Sequence, residues 1–314
     1  MGELRKDYIL DRWVVISPAR AKRPHEVATH HDQAPQICSF CPGNEATTPP
    51  EIGRLEQDNA WSLRWFSNKY PAFAPQGDPL IQTDNTFYTF SSSYGYHELI
   101  TETPNHDLQL WDFSTKELAT LLEVYNKRIE ELMLAQYIKY VDIIKNHGSD
   151  AGTSIIHSHS QVFALNHIPA LIREEIEAYR RYQVCPYCSI IAKEKDSHRR
   201  CYENSDFVAF TPYASRYNYE IWIFPKHHVK NLSSIGNMDG LAEILGCILR
   251  KLRELNVSYN YTFHYSPVDD FHFHIEITPR ISIPGGFEIG SDEFINIISP
   301  EDAAAFYRGE HGSY

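Results

Sequence analysis

The sequence lacks the features that define several large classes of proteins. No apolar run approaches the roughly 18 uninterrupted residues that a membrane-spanning helix needs, and residues 1–7 contain no apolar signal-peptide segment. Positive charge is also scarce, because 29 Lys and Arg residues face 41 Asp and Glu residues, for a net charge of −12. These deficits argue against a membrane protein and against a general nucleic-acid binder. We therefore expect a cytoplasmic protein that has neither a membrane nor a nucleic acid as its partner.

The composition that remains is typical of a folded globular protein. Hydrophobic residues make up 42% and charged residues 22% of the chain, which excludes a disordered or fibrous protein. A length of 314 residues exceeds what one ordinary core uses, so two domains or one two-lobed fold are predicted. Aromatic residues at 13% and sixteen histidines are the unusual values.

Cysteine is more informative in its spacing than in its number. Four of the six cysteines form two Cys-x-x-Cys pairs, Cys38–Cys41 and Cys185–Cys188. In a reducing compartment such pairs indicate metal ligands or a redox dithiol, not a disulfide framework. A redox dithiol usually follows a strand of a βαβ unit, which the pattern does not show, so zinc is the favoured interpretation. The remaining Cys201 and Cys247 are expected to pack as small apolar residues.

The two halves of the chain repeat one order of chemically active residues. In each half a Cys-x-x-Cys pair is followed by a single histidine and then by a His-x-His motif, which gives His106 and His157-Ser-His159 in the first half and His228 and His272-Phe-His274 in the second. This recurrence indicates an internal duplication. Each half also contains one amphipathic helical pattern among short aromatic and β-branched stretches. An α+β fold with halves at residues 1–170 and 171–314 is therefore predicted.

Cys38, Cys41, His106 and His157 form a complete Cys2His2 set. Zinc favours four such ligands in tetrahedral geometry, and a site with four protein ligands has no open position for a reactive water. The predicted role is therefore structural. The alternative is that His106 and His157 are ordinary core or surface residues and that Cys38 and Cys41 bind nothing. For Cys185 and Cys188 the alternative is that the pair is a relict of the duplication without a bound metal.

The stretch His157-Ser-His159-Ser-Gln161 is the most specific motif of the chain. On a strand, a period of two would point all three side chains to one face. If His157 binds metal, His159 is free to act as a nucleophile, because neutral imidazole is present at pH 7. The preceding small-residue segment 146–154 could bring backbone N–H groups and a hydroxyl onto an anion. A nucleophile beside such a loop is suited to attack on phosphorus. This interpretation is favoured over the alternative that the histidines are merely exposed on a strand.

These motifs together resemble the galactose-1-phosphate uridylyltransferase family, the transferase branch of the histidine-triad superfamily. The family carries His-x-His-x-Gln, and the stretches at residues 11–24, 67–73 and 285–290 are similar to further motifs of the family. The resemblance covers nearly the whole chain. It implies duplicated histidine-triad-like halves, each mainly an antiparallel sheet (half-barrel) flanked by helices.

The resemblance also implies a role for individual residues. His159 would be the nucleophile, with Gln161 and Ser154 as donors to phosphoryl oxygens. Substrate would contact Arg20, Arg23, Asn68, Asn146, Gly152, Phe287 and Glu288. Zinc would be held by Cys38, Cys41, His106 and His157, and a second metal, zinc or iron, by Cys185, Cys188, His228 and His272. The implied assembly is a homodimer in which the region of Phe287 reaches the neighbouring subunit's active site.

The implied reaction is a double displacement. His159 would take the uridylyl group from UDP-glucose, releasing glucose 1-phosphate, and galactose 1-phosphate would then accept it to give UDP-galactose. Relatives with a second Cys-x-x-Cys pair include ADP-glucose phosphorylases, so phosphorolysis of ADP-glucose or of a dinucleoside polyphosphate is an alternative. A two-zinc module without catalytic activity is a further one. The sequence assigns no role to His227, His264 and His274.

Overall fold

The structure is a computed structural model that describes residues 3–10, 13–16, 37–84 and 87–310. Arg20 and Arg23, which the sequence analysis expects to contact substrate, lie outside the described residues. Within the described ranges, none of the helices combines the length and the apolar character needed to cross a bilayer.

Fifteen strands and six α-helices form the described part of the chain. The strands are β1 (Glu3–Lys6), β2 (Trp13–Ile16), β3 (Glu51–Gln57), β4 (Ala60–Ser67), β5 (Gln82–Asp84), β6 (Tyr88–Phe90), β7 (Gly95–Thr101), β8 (Tyr140–His147), β9 (His159–Leu165), β10 (Arg200–Glu203), β11 (Phe207–Phe210), β12 (Ile221–Pro225), β13 (Tyr259–His264), β14 (His274–Pro279) and β15 (Phe294–Asn296). The helices are α1 (Thr115–Met133), α2 (Ala170–Tyr179), α3 (Pro186–Glu194), α4 (Met238–Leu255), α5 (Gly286–Ser291) and α6 (Pro300–Arg308).

Ten of these strands form one sheet in the order β10-β11-β12-β14-β13-β8-β9-β7-β4-β3. Every neighbouring pair in it is antiparallel. The sheet is flanked by helices, which confirms the predicted α+β class. A smaller sheet has the order β1-β2-β15, so β2 lies beside β15, the last of the described strands.

The two halves of the large sheet have equivalent strand orders. Read outward from the β8–β13 contact, the first half runs β8-β9-β7-β4-β3 and the second β13-β14-β12-β11-β10. Helices α1 and α4 pack against each other, and each begins at a side chain that accepts from the first turn, Ser114 and Asn237. One apolar core extends through both halves. A boundary between them near residue 170 stays a proposal, because sheet and core cross it without a break.

The structure corrects one expectation about the His-x-His-x-Gln motif. The predicted strand includes His157, but β9 begins only at His159. Its neighbour β7 ends at Thr101, the register partner of His159, and the pairing of β9 with β8 ends at Lys145 and Ser160, so His157 takes part in neither ladder. His157 therefore lies just outside the sheet, where its position is set by side-chain contacts.

Candidate active site and metal centres

The first candidate metal centre gathers residues from three places in the chain. Cys38 and Cys41 lie on a tight turn in which the Cys41 N–H donates to the Cys38 carbonyl over 3.3 Å. His106 follows β7, and His157 precedes β9. All four ligand atoms lie within 4.8 Å of one another, and the Cys41 Sγ is 3.4 Å from His106 Nδ1 and 3.6 Å from His157 Nδ1. The predicted set is thus brought together and could hold a metal ion.

The chemistry of this donor set fits zinc. The His157 Nε2–H donates to the Thr103 carbonyl over 2.7 Å, so Nδ1, which faces the sulfurs, carries the lone pair of the neutral ring. Burial, with the neighbouring Cys38 thiol adding to it, raises the pKa of Cys41 to about 11. A nearby cation reverses this penalty by stabilising the thiolates. Two sulfur and two imidazole ligands are a set that zinc favours.

The second candidate metal centre has the same construction. Cys185 accepts a hydrogen bond from the Cys188 N–H at the first turn of α3. The Cys188 Sγ lies 3.5 Å from the Nδ1 atoms of both His228 and His272. The His272 Nε2–H donates to the Pro225 carbonyl over 2.9 Å, which leaves its Nδ1 free for a metal. These four ligand atoms also lie within 4.8 Å of one another, so both predicted sets are assembled.

His159, the predicted nucleophile, stands at the first position of β9 with 7% of its surface exposed. Its Nδ1–H donates to the His157 carbonyl over 2.9 Å, so the basic lone pair is on Nε2. Burial, followed by the charge of Lys145, lowers the pKa of His159 to about 4. The ring is therefore neutral near pH 7. A neutral imidazole with one nitrogen held and the other basic is the form that nucleophilic attack needs.

A buried ion pair holds the backbone of His159 in place. Lys145 of β8 and Glu102 bond to each other, with side chains 1% and 0% exposed. The Lys145 Nζ also donates to the Ser158 hydroxyl over 2.8 Å and to the His159 carbonyl over 3.0 Å. Glu102 accepts from the hydroxyls of Ser158 and Ser160. The ion pair thus holds the serines of the motif and fixes the backbone that carries His159.

Sequence reasoning missed Lys145 and Glu102. A signal for Lys145 exists, because it continues the alternation of buried residues Val141 and Ile143 along β8. A lysine at such an inward position needs a buried acidic partner. Glu102 follows β7 without a comparable pattern, so only the fold reveals it as that partner.

A cavity of about 250 Å³ lies beside His159, and Asn146 and Ser154 are among its lining residues. Gly148 and Gly152 in the adjoining loop have φ values of 82° and 83°, which side-chain-bearing residues rarely adopt. The Gly152 N–H, which was expected to contact an anion, already donates to the Ser149 carbonyl over 3.0 Å. The N–H groups of residues 151 and 153 also bond within the loop.

Gln161 and Asn68 both approach the same ring nitrogen of His97. The Gln161 Oε1 lies 2.9 Å and the Asn68 Nδ2 3.1 Å from His97 Nε2. Asn68 follows β4, and its Oδ1 accepts from the Tyr70 N–H over 2.9 Å. A cavity of about 540 Å³ runs along Asn68 and His97. Gln161 and Asn68 are thus placed together, next to a cavity separate from the one beside Ser154.

Phe287 and Glu288 are not brought to either cavity. Both lie on the short helix α5, where the Glu288 carboxylate accepts from the Gly285 N–H over 2.8 Å and so caps its own helix. The Phe287 side chain is 48% exposed. A role for these two residues in this chain's own site has no support from their position.

Two histidines without a predicted role lie in a buried charged cluster of the second half. His264 and His274 converge on Glu276, and their ligand atoms lie within 4.8 Å of one another. The His264 Nδ1 is 3.0 Å from the Glu175 carboxylate. Arg216 contributes a further charge, 3.4 Å from Glu276. The cluster occupies the position in the second half that His159 and Gln161 occupy in the first.

An antiparallel sheet that presents a neutral histidine, held at Nδ1 by a backbone carbonyl, beside a glycine-containing loop is an arrangement that suits a nucleotidyltransferase. Comparison with known proteins agrees with that class. Residues 2–169 match the model of the galactose-1-phosphate uridyl transferase N-terminal domain, and residues 106–305 match a domain of unknown function, DUF4921. The chain belongs to the galactose-1-phosphate uridyl transferase family.

Individual relatives span nearly the whole chain. The ADP-glucose phosphorylase of Arabidopsis thaliana is 34% identical over 98% of this chain and 92% of its own length. The galactose-1-phosphate uridylyltransferase of Thermotoga maritima is 28% identical over 97% of both proteins. A crystal structure of an A. thaliana ADP-glucose phosphorylase with bound ADP-glucose matches with a TM-score of 0.83 at 32% identity, over 98% of each chain.

Proposed function

We propose that the protein transfers a nucleotidyl group through a covalent intermediate on His159. The His159 Nε2 attacks the phosphorus that is bonded to the nucleoside of a nucleoside diphosphate hexose. A P–N bond forms as the P–O bond to the hexose phosphate breaks, and hexose 1-phosphate leaves. The observation that carries this proposal is the bond of the His159 Nδ1–H to the His157 carbonyl, which stabilises the positive charge that the ring acquires on attack.

The intermediate is then resolved by an acceptor oxygen. That oxygen attacks the same phosphorus, the P–N bond breaks, and neutral His159 is restored. Ser154, which lines the cavity beside His159, and Gln161 are assigned as donors to the phosphoryl oxygens, where preorganised donors contribute most to rate. Asn68 and Asn146 are assigned to substrate binding, with the cavity along Asn68 taking the nucleoside.

Two donor and acceptor pairs follow from the family. The first is UDP-glucose with galactose 1-phosphate, which gives UDP-galactose. The second is ADP-glucose with inorganic phosphate, and it is favoured by the 34% identity to an ADP-glucose phosphorylase and by the assembly of a second Cys2His2 group. Membership of a family of enzymes argues against a two-zinc module without activity.

We further propose that each Cys2His2 group holds a structural zinc ion. Bound zinc would tie the Cys38–Cys41 turn to His157 and so brace the start of the strand that carries His159. A homodimer is proposed as well, because the exposed Phe287 and Ile289 on α5 lie away from this chain's own cavities. In that assembly they would contact the neighbouring subunit.

The covalent step can be tested by labelling. The metal-loaded protein is incubated separately with UDP-glucose and ADP-glucose that carry ³²P in the nucleoside-linked phosphate, and is quenched in alkali, which phosphohistidine bonds survive. Label should appear on the wild type with at least one donor and be absent from His159→Gly. Label that persists in the variant, or that never forms in an active wild type, would rule out the mechanism. Adding galactose 1-phosphate or phosphate then identifies the acceptor that removes the label.

A further inference from the structure

His97 stands between the predicted phosphate contact Gln161 and the segment that follows β4. It lies on β7 with 7% of its surface exposed. Its ring stacks on Phe163, with ring centroids 4.1 Å apart and planes inclined by 25°. Its Nδ1 is 3.1 Å from the Ala72 backbone N, and its Nε2 is 2.9 Å from the Gln161 Oε1. Both nitrogens therefore have a specific partner, which packing alone does not require.

The partners determine where the proton of His97 resides. The backbone N–H of Ala72 can only donate, so Nδ1 must accept. A neutral imidazole has one N–H, which is then on Nε2. Burial lowers the pKa of His97 and so favours this neutral form. The Nε2–H therefore donates to the Gln161 Oε1, which fixes the orientation of that amide. The Asn68 Nδ2, which lies 3.1 Å from the same ring nitrogen, cannot donate to it in this tautomer.

This bond fixes the orientation of the Gln161 amide. Because the Gln161 Oε1 accepts from His97, the Nε2 amino group of Gln161 is turned away from the His97 ring. Asn68 is oriented in the same way, because its Oδ1 accepts from the Tyr70 N–H and its Nδ2 retains its donors. Phosphoryl oxygens only accept hydrogen bonds. A Gln161 amide turned the other way would present its oxygen to them and repel.

We propose that His97 is a positioning residue of nucleotidyl transfer. It holds the Gln161 amide so that Nε2 donates to a phosphoryl oxygen of a nucleoside diphosphate sugar as charge develops there. Through Ala72 it also links that donor to the segment that borders the cavity along Asn68. This inference rests on the proposed function of His159, and it adds a residue that acts through another without touching the phosphate.

Two substitutions of His97 separate its two hydrogen bonds. In His97→Gln the side-chain Nε2 extends to about the position of the imidazole Nε2, so it can still donate to Gln161. In His97→Asn the shorter amide reaches only the region of Nδ1, so it can accept from Ala72 but leaves Gln161 without its donor. A merely structural role would make the two variants similar or favour Asn, which keeps the bond to the backbone.

The measurement is the single-turnover rate at which His159 acquires label from ³²P-labelled UDP-glucose or ADP-glucose, on metal-loaded enzyme. His97→Asn should slow labelling by about 10- to 100-fold, which approaches the loss of one oxyanion donor. His97→Gln should remain within a few-fold of wild type. The donor concentration that gives half-maximal rate should change little, because the bond acts on the transition state. Equal rates for the two variants, or a faster His97→Asn, would overturn the proposal.

A double-variant comparison tests the route through Gln161. In a Gln161→Ala background the amide is absent, so adding His97→Asn should slow labelling no further. If the two slowing factors multiply instead, His97 does not act through Gln161. The inference fails alone if the wild type is labelled and His97→Asn is labelled equally fast. A wild type that shows activity without label would remove the proposed function and this inference with it.

Discussion

Replacing Lys145 with methionine should destabilise the protein far more than replacing an exposed lysine. Methionine keeps the length and apolar stem of the side chain but removes its charge and all three donors. Glu102, with 0% of its side chain exposed, would lose its cationic partner inside the core. Removing one member of a buried pair typically costs about 3–5 kcal/mol. For a chain of 314 residues that corresponds to a fall in Tm of roughly 5–8 °C.

The chain offers a matched control and a rescue for this prediction. Lys127 is 58% exposed and lies 3.9 Å from Glu131 on the surface of α1, so Lys127→Met should cost about 0.5 kcal/mol or less. Adding Glu102→Gln to Lys145→Met removes the uncompensated charge and should recover a large part of the loss. Unfolding is followed by circular dichroism, by heat and by urea, on metal-loaded protein.

The same series tests whether the ion pair supports His159. Because Lys145 donates to the His159 carbonyl, the double variant should label His159 more slowly than wild type even where it is folded. The reasoning is refuted if Lys145→Met and Lys127→Met unfold at the same temperature. It is equally refuted if Glu102→Gln fails to rescue any stability.

Two further predictions concern the metal groups and the buried charges of the second half. The purified chain should retain close to two zinc ions after gel filtration, as measured by mass spectrometry of the metal content. Cys38→Ser should lose one zinc ion and some stability, whereas Cys247→Ser, a control outside both Cys2His2 groups, should lose neither. A stable, active preparation without metal would contradict this prediction. His264 should make stability fall at alkaline pH: burial is the largest influence and lowers its pKa, but the carboxylates of Glu175 and Glu276 more than offset it and raise the pKa to about 9. The stabilisation by charged His264 is therefore complete below the pKa of about 6.5 that histidine has in the unfolded chain, and it is lost as the pH rises through about 9. The free energy of unfolding by urea should thus decline between pH 6 and pH 10 in the wild type more than in His264→Gln. Equal declines in the two proteins would refute the assignment.

The sequence alone determined the parts of this protein whose chemistry resides in residue type and spacing. Two Cys-x-x-Cys pairs, each with a later histidine and a His-x-His, predicted two ligand sets, and both are assembled in space. Helix α1 begins at a capping box formed by Ser114 and Glu117, which are only three positions apart. Ligand motifs and helix caps can be predicted from the sequence because a few neighbouring residues suffice to define them. The family followed from the same motifs.

Tertiary structure decided what lies around those residues. Which side chains back the nucleophile depends on which strands are neighbours, and β8 lies between β9 of its own half and β13 of the other. The position of β8 beside β9 brings Lys145 to Glu102, 43 positions away, and the pairing of β7 with β9 brings His97 to Gln161, 64 positions away. The start of β9 at His159 likewise coincides with the end of its pairing with β7 and β8. Strand order and register are fixed by burial and pairing across the whole sheet, so no local pattern contains them.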